Sequence, residues 1–302
     1  MPRIRDGGAC KAALSLQKPN VHVSANPPPG PTQNDATQDP DRFLEQMDQE
    51  LTGWSDLAER LERALHQDEL QLFAQPIESL RERGTYPIAE TLVRLREEEA
   101  AMLPPGAFLP VFEHCGMMPE LDRWVIQRVV GILARGSRIP KFSINISAQT
   151  LGDAGFSHAL AKDLERASVN PDALVFEIDE NDLLARPDAA ARFSAAVKAI
   201  GCGLLFDGFG RRSVSFEPLK TLRVDYVKVD GVIIRKLASS DVARSKLNAI
   251  ARVGEVIGVG VIGECVEDPN VVELLKTAGV GYAQGFGIAA PSAIEGFVAS
   301  TS

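Results

Sequence analysis

The sequence predicts an α/β protein whose main domain is a TIM-like (βα)8 barrel. From residue 69 onward, short apolar runs of strand length alternate with amphipathic segments of helix length, which is typical of a mostly parallel sheet. About eight such strands within roughly 230 residues fit a closed barrel better than an open, doubly wound sheet. The strands carry neither a GxGxxG pattern nor a P-loop, which argues against dinucleotide-binding and P-loop folds.

The region before the barrel divides into two predicted parts. Residues 1–40 are rich in Pro, Asn, Gln, Asp and Ser, and we expect a disordered tail there. Residues 41–60 carry apolar side chains at three- and four-residue spacing, which predicts a lead-in helix. This helix would either take part in signalling or simply cap the barrel. The barrel domain is predicted to span residues 61–302.

The predicted elements of the barrel follow one another in a regular order. Runs rich in Val, Ile, Leu and Phe are expected to be strands buried on both faces. The segment PIAETLVRL is compatible with a strand or with the start of a helix. The order is strand LQLFAQPI, segment PIAETLVRL, helix Leu121–Ala134, strand FSINIS, helix Ala154–Ala167, strand VFEID, helix Ala189–Ile200, strands LLFD and YVKVD, helix Ala238–Val256, strand GVGVIGE and segment YAQGFG.

Five of the predicted strands carry a polar side chain at or near their downstream end. These residues are Asn145, Glu177, Asp207, Asp230 and Glu264. A charged group at the end of a buried strand is costly unless it is paired or binds a metal ion. Because a βα barrel gathers the carboxyl ends of its strands at one mouth, we expect these side chains to form an active site there.

Composition and charge exclude several classes of protein. The net charge of −9 argues against a general nucleic-acid surface. The cysteines are scattered without a CxxC pair, which indicates reduced thiols and a cytoplasmic location. The histidines lack metal-ligand spacing, so a bound metal ion would have oxygen ligands and would be magnesium, manganese or calcium. No apolar stretch is long enough to span a bilayer, and a secretory signal is not expected.

Eight segments of the chain together carry a family resemblance. In order they are FAQPI, AETLVRL, FSINISAQTL, FEIDE, LLFDGFG, VDYVKVD, VIGECVE and YAQGFG. This series resembles the EAL domain, the cyclic di-GMP phosphodiesterase family, over about residues 61–291. The name-giving triplet is Glu90-Thr91-Leu92 in this chain. The resemblance implies a barrel of the EAL type and a metal-dependent cleavage of cyclic di-GMP to the linear dinucleotide.

The resemblance also implies roles for individual residues. The ligands of one Mg²⁺ or Mn²⁺ ion would be Glu90, Asn145, Glu177 (the first glutamate of the family's ExTE segment) and Asp207 (the first aspartate of its DDFG segment). The catalytic residues that position or deprotonate a water molecule would be Lys228, Glu264 and Glu267. The contacts to the nucleotide would be Gln75, Arg94, Asp230 and Gln284.

One loop departs from the family's pattern. The segment that the family spells DDFGTGYSSL reads DGFGRRSVSF here, so Gly208 stands where a second aspartate would bind a second cation. Glu180, which anchors this loop in the family, is retained. Near the C-terminus, Ala290 stands where an arginine is typical. These departures predict a degenerate member that still binds its ligand, because ground-state binding and transition-state stabilisation are separable.

The altered loop also carries two arginines with two possible interpretations. Arg211 and Arg212 are either solvated side chains of a surface loop or cations placed near the vacated position. In the second interpretation a guanidinium would partly replace the attraction of a metal ion for phosphate. It would not acidify a water molecule as a metal ion does.

Three functions remain compatible with the sequence. The first is a cyclic di-GMP receptor with impaired hydrolysis that passes its signal to a protein partner. The second is an active phosphodiesterase, and the third is an interaction scaffold that uses the lead-in helix or the altered loop and no nucleotide. A homodimer is possible by family resemblance, and we expect no cyclase or sensor domain in the residues before the barrel.

Overall fold

The computed structural model describes residues 57–67, 69–96, 102–103 and 105–299. The predicted tail and residues 41–56 of the predicted lead-in helix lie outside these described residues. The first helix, α1, spans Leu57–His66 and so crosses the predicted domain boundary between residues 60 and 61. Its Leu61 and Ala64 are fully buried, and the helix packs against the one at Pro105–His114.

Between residues 141 and 283, strands and helices alternate as the sequence predicts. The strands are β1 (Leu70–Ser79), β2 (Ile88–Arg96), β3 (Met102–Leu103), β4 (Lys141–Asn145), β5 (Leu174–Asp179), β6 (Gly203–Phe209), β7 (Tyr226–Val229), β8 (Gly260–Gly263), β9 (Tyr282–Ala283) and β10 (Ser292–Ala293). The further helices are α2 (Pro105–His114), α3 (Met118–Ala134), α4 (Ala148–Leu151), α5 (Phe156–Ala167), α6 (Glu180–Ala185), α7 (Pro187–Ile200), α8 (Pro218–Thr221), α9 (Gly231–Ile234), α10 (Asp241–Ile257) and α11 (Pro269–Thr277).

Among the described residues, eight strands close into a barrel in the order β1-β9-β8-β7-β6-β5-β4-β2, with β2 pairing back to β1. The TIM-like barrel prediction is therefore confirmed, and the ambiguous segment PIAETLVRL is a strand. The strands β2 and β4 to β9 run parallel, but β1 runs antiparallel to both of its neighbours. Only residues 80–87 join β1 to β2. A parallel crossover needs about a dozen residues or more, so this short connection produces a hairpin.

The apolar side chains form two separate cores. The larger one lies between the barrel and its helices, where Phe156, Phe176 and Phe193 join α5, β5 and α7 through tilted and edge-on ring contacts. The smaller one fills the inside of the barrel. It consists of Ile77, Ile88, Val175, Leu205 and Ile262, with Tyr226 and Tyr282 packed against them. The barrel is therefore closed below its mouth by a layer of side chains, which we call the floor.

Candidate active site at the barrel mouth

The floor determines where the polar site residues lie. Side chains of a strand alternate between its two faces, so the residue two positions further along a parallel strand points to the same interior, nearer the mouth. On β1, which runs the other way, the corresponding residue is two positions earlier. We counted two positions toward the mouth from each floor residue on these strands. The side chains found there are Gln75, Glu90, Glu177, Asp207, Lys228, Glu264 and Gln284. Seven predicted site residues thus form the next layer above the floor.

Lys228 lies at the centre of this layer. It is 1% exposed, and its Nζ atom donates to Glu177 Oε2 at 2.6 Å and to Glu90 Oε2 at 3.0 Å. Asp207 Oδ1 is 3.7 Å from the same nitrogen atom. Val227 and Val229 of β7 face away from the interior and are buried. The ammonium group of Lys228 is therefore the counter-ion of three carboxylates from three different strands.

The charges of this group are not balanced, and the pKa values of its members reflect that. Burial disfavours the charged form of Lys228, but the three carboxylates outweigh it and hold the pKa of Lys228 well above its ordinary value. Burial also works against the charge of Glu90, but Lys228 and the hydrogen bonds to Glu90 hold its pKa below the ordinary value. Burial and the charge of Glu90 raise the pKa of Glu177 to about 8. The pKa of Asp207 is raised as well, chiefly by burial. The group thus has fewer positive charges than its carboxylates require.

The donor set suits a hard divalent cation. Among the described residues, no three acidic, histidine or cysteine side chains are arranged to hold a metal ion as they stand. Glu177 Oε1 and Asp207 Oδ1 are nevertheless buried without a hydrogen-bond partner. Oxygen atoms of this kind are the ligands that Mg²⁺ and Mn²⁺ prefer, so the residues present fit such an ion.

Amide side chains complete the layer around Glu90. Asn145 Nδ2 donates to Glu90 Oε1 at 3.0 Å, and Gln284 Nε2 donates to Glu90 Oε2 at 2.6 Å. Gln284 also lies 3.2 Å from Gln75 Oε1, and Gln75 donates to the carbonyl of Ala289 at 3.0 Å. The structure therefore brings the predicted metal ligands and both predicted glutamine contacts into one network.

Arg94 lies two residues beyond Leu92 on the interior face of β2. Its guanidinium carbon is 6.0 Å from the centre of the Phe73 ring, and Nη1 donates to the backbone carbonyl of Val93 at 2.8 Å. Burial lowers the pKa of Arg94, and the charge of Glu90 opposes this effect. Within the described part of the chain, no carboxylate forms an ion pair with Arg94. None of the described residues therefore neutralises the charge of Arg94, and this charge is available to an anionic ligand.

The predicted catalytic acids are placed differently from each other. Glu264 Oε1 accepts a hydrogen bond from the backbone N–H of Gly231 at 2.6 Å. Burial, together with the charge of Asp207, raises the pKa of Glu264 to about 7. Glu267 is exposed, and its carboxylate makes no hydrogen bond or ion pair with another predicted site residue in the described part of the chain. Among the described residues, the structure thus joins Glu264 to the site and does not join Glu267 to it.

The loop after β6 is built around Arg211. Its Nε atom donates to Asp230 Oδ2 at 2.7 Å, and its Nη1 atom donates to Asp179 Oδ2 at 2.8 Å. Gly208 lies directly beneath the guanidinium and has a φ angle of +68°. A Cβ atom on Gly208 would lie 2.7 Å from Arg211 Nη2. Both the backbone conformation and the close approach of Arg211 therefore favour glycine at this position.

Glu180 accepts hydrogen bonds from two backbone N–H groups of the same loop. Its Oε1 atom lies 3.3 Å from the nitrogen of Gly210, and its Oε2 atom lies 3.3 Å from the nitrogen of Arg212. Glu180 is the first residue of α6 and is buried. These contacts suit the predicted role as loop anchor.

Sequence reasoning missed the part that Asp179 plays. Asp179 is the third residue of the segment that the family spells ExTE, where an aspartate replaces the threonine. It caps α6 by accepting from the backbone N–H of Asn181 at 2.7 Å, and it also binds Arg211. The signal was present in the sequence, because Asp179 lies two residues after Glu177 and so faces the same interior. Arg211, by contrast, is not a solvated surface side chain.

Comparison with known proteins gives the family. The EAL domain family model matches residues 58–291, most of the chain. This chain belongs to the EAL domain family. It is 29% identical over 243 residues to the cyclic di-GMP phosphodiesterase PdeB of Shewanella oneidensis, a match that covers 80% of this chain and 28% of PdeB. The chain spans about a third of the length of the curated relatives that it matches.

Two solved EAL structures resemble the barrel in detail. The FimX EAL domain from Pseudomonas aeruginosa bound to c-di-GMP has a TM-score of 0.74 at 28% identity, covering 79% of this chain and 97% of that one. The PaMucR phosphodiesterase in its c-di-GMP complex has a TM-score of 0.73 at 27% identity, covering 80% and 98%. EAL phosphodiesterases depend in general on divalent metal ions. None of the helices in the described part of this EAL domain has the length and apolar character needed to cross a membrane.

Proposed function

We propose that this EAL domain binds cyclic di-GMP at the mouth of its barrel and serves as a receptor whose phosphodiesterase activity is impaired. The observation that carries the proposal is the contrast within the mouth. The layer around Lys228 keeps every predicted ligand of one cation, whereas Gly208 removes a carboxylate and Arg211 lies over that position. The cyclic di-GMP complexes of the two related EAL domains support the choice of ligand.

The charges of the mouth explain how an anionic ligand can bind to an acidic protein. Cyclic di-GMP carries two phosphates, and Arg94 offers a guanidinium that forms no ion pair with the other described residues. A guanidinium can donate two hydrogen bonds to a phosphate. Gln75 is the register partner of Glu90 on the strand next to β2 and contacts Gln284, and both side chains present amide groups that suit a guanine base or a ribose.

The chemistry of hydrolysis depends more strongly on the cations. A bound divalent ion would be held by Glu90, Asn145, Glu177 and Asp207 and would acidify water and offset phosphate charge. Lys228 holds two of these carboxylates in position, and Glu264, with a pKa of about 7, is suited to accept a proton near neutral pH. If the absence of a second cation removes about 4 kcal/mol of transition-state stabilisation, the rate falls roughly a thousandfold.

Calorimetry with cyclic di-GMP in Mg²⁺ or Ca²⁺ tests the receptor function. We expect the wild-type protein to bind and Arg94→Ala to weaken binding by tenfold or more, because a hydrogen bond to a charged group contributes about 1.5–3 kcal/mol. Arg192→Ala is the matched control, since Arg192 is an exposed arginine on α7. Absence of binding by the wild-type protein in both metals would refute the proposal.

An active phosphodiesterase is the second candidate, favoured by the retained contacts of Glu90, Glu177 and Lys228. Turnover of cyclic di-GMP to the linear dinucleotide in Mn²⁺ or Mg²⁺, abolished in Glu90→Gln, would establish it. The catalytic role of Glu267, a homodimer, a protein partner and a cytoplasmic location remain predictions. A nucleotide-independent scaffold is less well supported, because it gives no reason for the converging polar layer.

A further inference from the structure

Asn145 is the most exposed of the four proposed metal ligands. Glu90, Glu177 and Asp207 are buried or half-buried in the polar layer, whereas Asn145, the last residue of β4, is exposed. Its side chain donates to Glu90 Oε1 at 3.0 Å. Because packing restricts an exposed side chain little, the backbone at the end of β4 decides where the amide oxygen of Asn145 lies.

A buried carboxylate holds the backbone that follows Asn145. Asp122 on α3 is 4% exposed, and its Oδ2 atom accepts from the backbone N–H of Ser147 at 3.0 Å. The hydroxyl groups of Ser147 and Thr150 donate to the same oxygen atom at 2.7 Å and 2.6 Å. Three donors from the turn after β4 therefore converge on one oxygen atom of Asp122, and the first of them lies two residues beyond the proposed metal ligand.

This turn starts a helix that is too short to hold its own position. The helix α4 has four residues, and Ser147 caps it by accepting from the backbone N–H of Thr150. An isolated helix of this length is not stable in water. On the other side of the turn, the backbone N–H of Ile146 donates to the carbonyl of Glu177 at 3.0 Å. The segment 145–150 is thus held between β5 and Asp122.

Asp122 holds the turn through hydrogen bonds to a buried carboxylate. Among the described residues, no basic side chain forms an ion pair with Asp122. Burial raises the pKa of Asp122, and the hydrogen bonds from Thr150 and Ser147 oppose this effect. A buried charge without a counter-ion is costly, so packing alone gives no reason for a carboxylate here. Hydrogen bonds to an ionised acceptor are stronger than those between neutral groups, and Asp122 can therefore fix the turn more firmly than a neutral side chain.

We propose that Asp122 is a positioning residue of the metal site, which fixes the turn after β4 so that Asn145 is presented to the divalent cation. Asp122 is not itself a ligand and acts through Asn145. Residues that orient metal ligands contribute about 10- to 100-fold to metal affinity in other proteins. This role rests on the proposed function, which supplies the cation site, but the metal affinity itself is measured without nucleotide.

Titration with Mn²⁺ in the absence of nucleotide tests the role of Asp122. The electron paramagnetic resonance signal of the free ion gives the dissociation constant. We expect Asp122→Ala to raise this constant about tenfold or more, because Asn145 loses its fixed position. Asp122→Asn keeps an acceptor oxygen for Ser147 and Thr150 and is expected to recover part of the affinity.

Glu78→Ala is the matched control for Asp122→Ala. Glu78 is 5% exposed and accepts from the backbone N–H of Gly84 at 2.9 Å, so it also stabilises a turn through a buried carboxylate. This turn joins β1 to β2, and none of its residues is a predicted metal ligand. We expect Glu78→Ala to leave the dissociation constant for Mn²⁺ unchanged in protein that circular dichroism shows to be folded.

A double-mutant cycle distinguishes positioning of Asn145 from a general loss of stability. Asn145→Ala removes the proposed ligand itself. If Asp122 acts through Asn145, adding Asp122→Ala to Asn145→Ala raises the dissociation constant for Mn²⁺ no further. A general loss of stability would instead weaken Mn²⁺ binding to the same extent in both backgrounds.

Variants at Thr150 keep the test decisive if Asp122→Ala does not fold. Thr150→Val removes one donor to Asp122 at nearly constant side-chain volume and is expected to raise the dissociation constant for Mn²⁺. Thr150→Ser keeps the hydroxyl group and is expected to bind Mn²⁺ as the wild type does. Equal dissociation constants in Thr150→Val and Thr150→Ser would then overturn the inference.

The outcomes separate this inference from the proposed function. An unchanged dissociation constant in Asp122→Ala would overturn the inference, and so would an equal rise in Glu78→Ala or in the Asn145→Ala background. A wild-type protein that binds no Mn²⁺ would overturn it too, because Asn145 would then have no ion to bind. Failure of a wild-type protein that binds Mn²⁺ to bind cyclic di-GMP would refute the proposed function alone.

Discussion

At the scale of single residues, Lys228 is the clearest case of a side chain that must be explained by its partners. A lysine is almost never fully buried unless it is paired, and Lys228 is 1% exposed. Its contacts with Glu90 and Glu177 supply that pairing. The group still carries more carboxylates than ammonium charges, so a divalent cation bound there would add to the neutralisation that Lys228 provides.

Lys228→Met is therefore expected to destabilise the protein most strongly in the absence of metal ions. Removing one partner of a buried charge network costs about 3–5 kcal/mol, since the remaining charges are left uncompensated. We expect Mn²⁺ to restore part of this loss. Urea denaturation with EDTA and with Mn²⁺ measures both effects.

Lys198→Met is the matched control for Lys228→Met. Lys198 pairs with Asp225 at 2.8 Å, and both side chains are partly exposed. Such surface pairs contribute about 0–1 kcal/mol. A loss in Lys228→Met no larger than the loss in Lys198→Met, measured in EDTA, would contradict the role given to Lys228.

Asp182 gives a pH dependence that can be tested away from the metal ligands. Burial and the charges of Asp179 and Glu113 raise the pKa of Asp182 to about 6 in the folded protein. The unfolded chain releases this proton near pH 4, so the folded state holds more protons between about pH 4 and pH 6 and loses stability as the pH rises through that window. The substitution Asp182→Asn is expected to remove this loss of stability, because asparagine does not titrate.

We therefore expect Asp182→Asn to gain stability relative to the wild type as the pH increases from 4 to 7. Urea denaturation at several pH values measures the difference. Asp188→Asn, at an exposed aspartate on α7, controls for the general loss of a carboxylate. A stability difference that stays constant from pH 4 to pH 7 would show that Asp182 is not the group responsible.

At the scale of elements, the sequence was sufficient for seven of the eight barrel strands, but it left β2 ambiguous and did not give the direction of β1. Apolar runs ending in polar residues predicted the strands and the mouth, because buried strands leave few other places for a charge. The direction of β1 follows from the short connection at residues 80–87, a signal that was present but not used. A second unused signal was the two-residue spacing between an apolar floor residue and a polar site residue on the same strand, as between Val175 and Glu177. This spacing places both side chains inside the barrel.

The loop after β6 could not have been predicted from its sequence alone. Its conformation depends on contacts with residues far away in the chain, namely Asp179 and Glu180 of β5 and α6 and Asp230 after β7. Arg211 and Arg212 are adjacent and chemically identical, yet one is bridged by two carboxylates and the other is exposed. Only the three-dimensional arrangement distinguishes them.

The docking of α1 on the barrel can be tested by one substitution in its apolar face. Leu61 is fully buried, and α1 packs against α2. Leu61→Ala is expected to cost about 2–5 kcal/mol of the free energy of unfolding, as for other large-to-small changes in a core. Leu184→Ala on α6, where the leucine is 50% exposed, is the control and is expected to change stability by no more than about 0.5 kcal/mol. Equal losses of stability in Leu61→Ala and Leu184→Ala would mean that α1 contributes little to the free energy of unfolding.

At the scale of the whole molecule, the closed barrel concentrates negative charge at the place where an anion is proposed to bind. The chain carries a net charge of −9, and the mouth gathers carboxylates from β2, β5 and β6 and from the ends of β7 and β8. The fixed cations Lys228 and Arg211 are already engaged by these carboxylates. A cyclic dinucleotide with two phosphates therefore needs additional positive charge, which a divalent ion can bring.

Affinity for cyclic di-GMP should consequently depend on divalent ions beyond the effect of ionic strength. We expect the dissociation constant to rise by tenfold or more, about 1.4 kcal/mol, when Mg²⁺ is replaced by Na⁺ at equal ionic strength. Coupling of this kind is reciprocal, so cyclic di-GMP should increase the affinity for Mn²⁺ by the same factor as Mn²⁺ increases the affinity for the nucleotide. Calorimetry in both directions measures the two factors.

In Glu177→Gln, which loses a buried carboxylate of the proposed ion site, nucleotide affinity should respond much less to Mg²⁺. Equal dissociation constants for the wild type in Mg²⁺ and in EDTA would show that the mouth binds nucleotide without the help of a divalent ion.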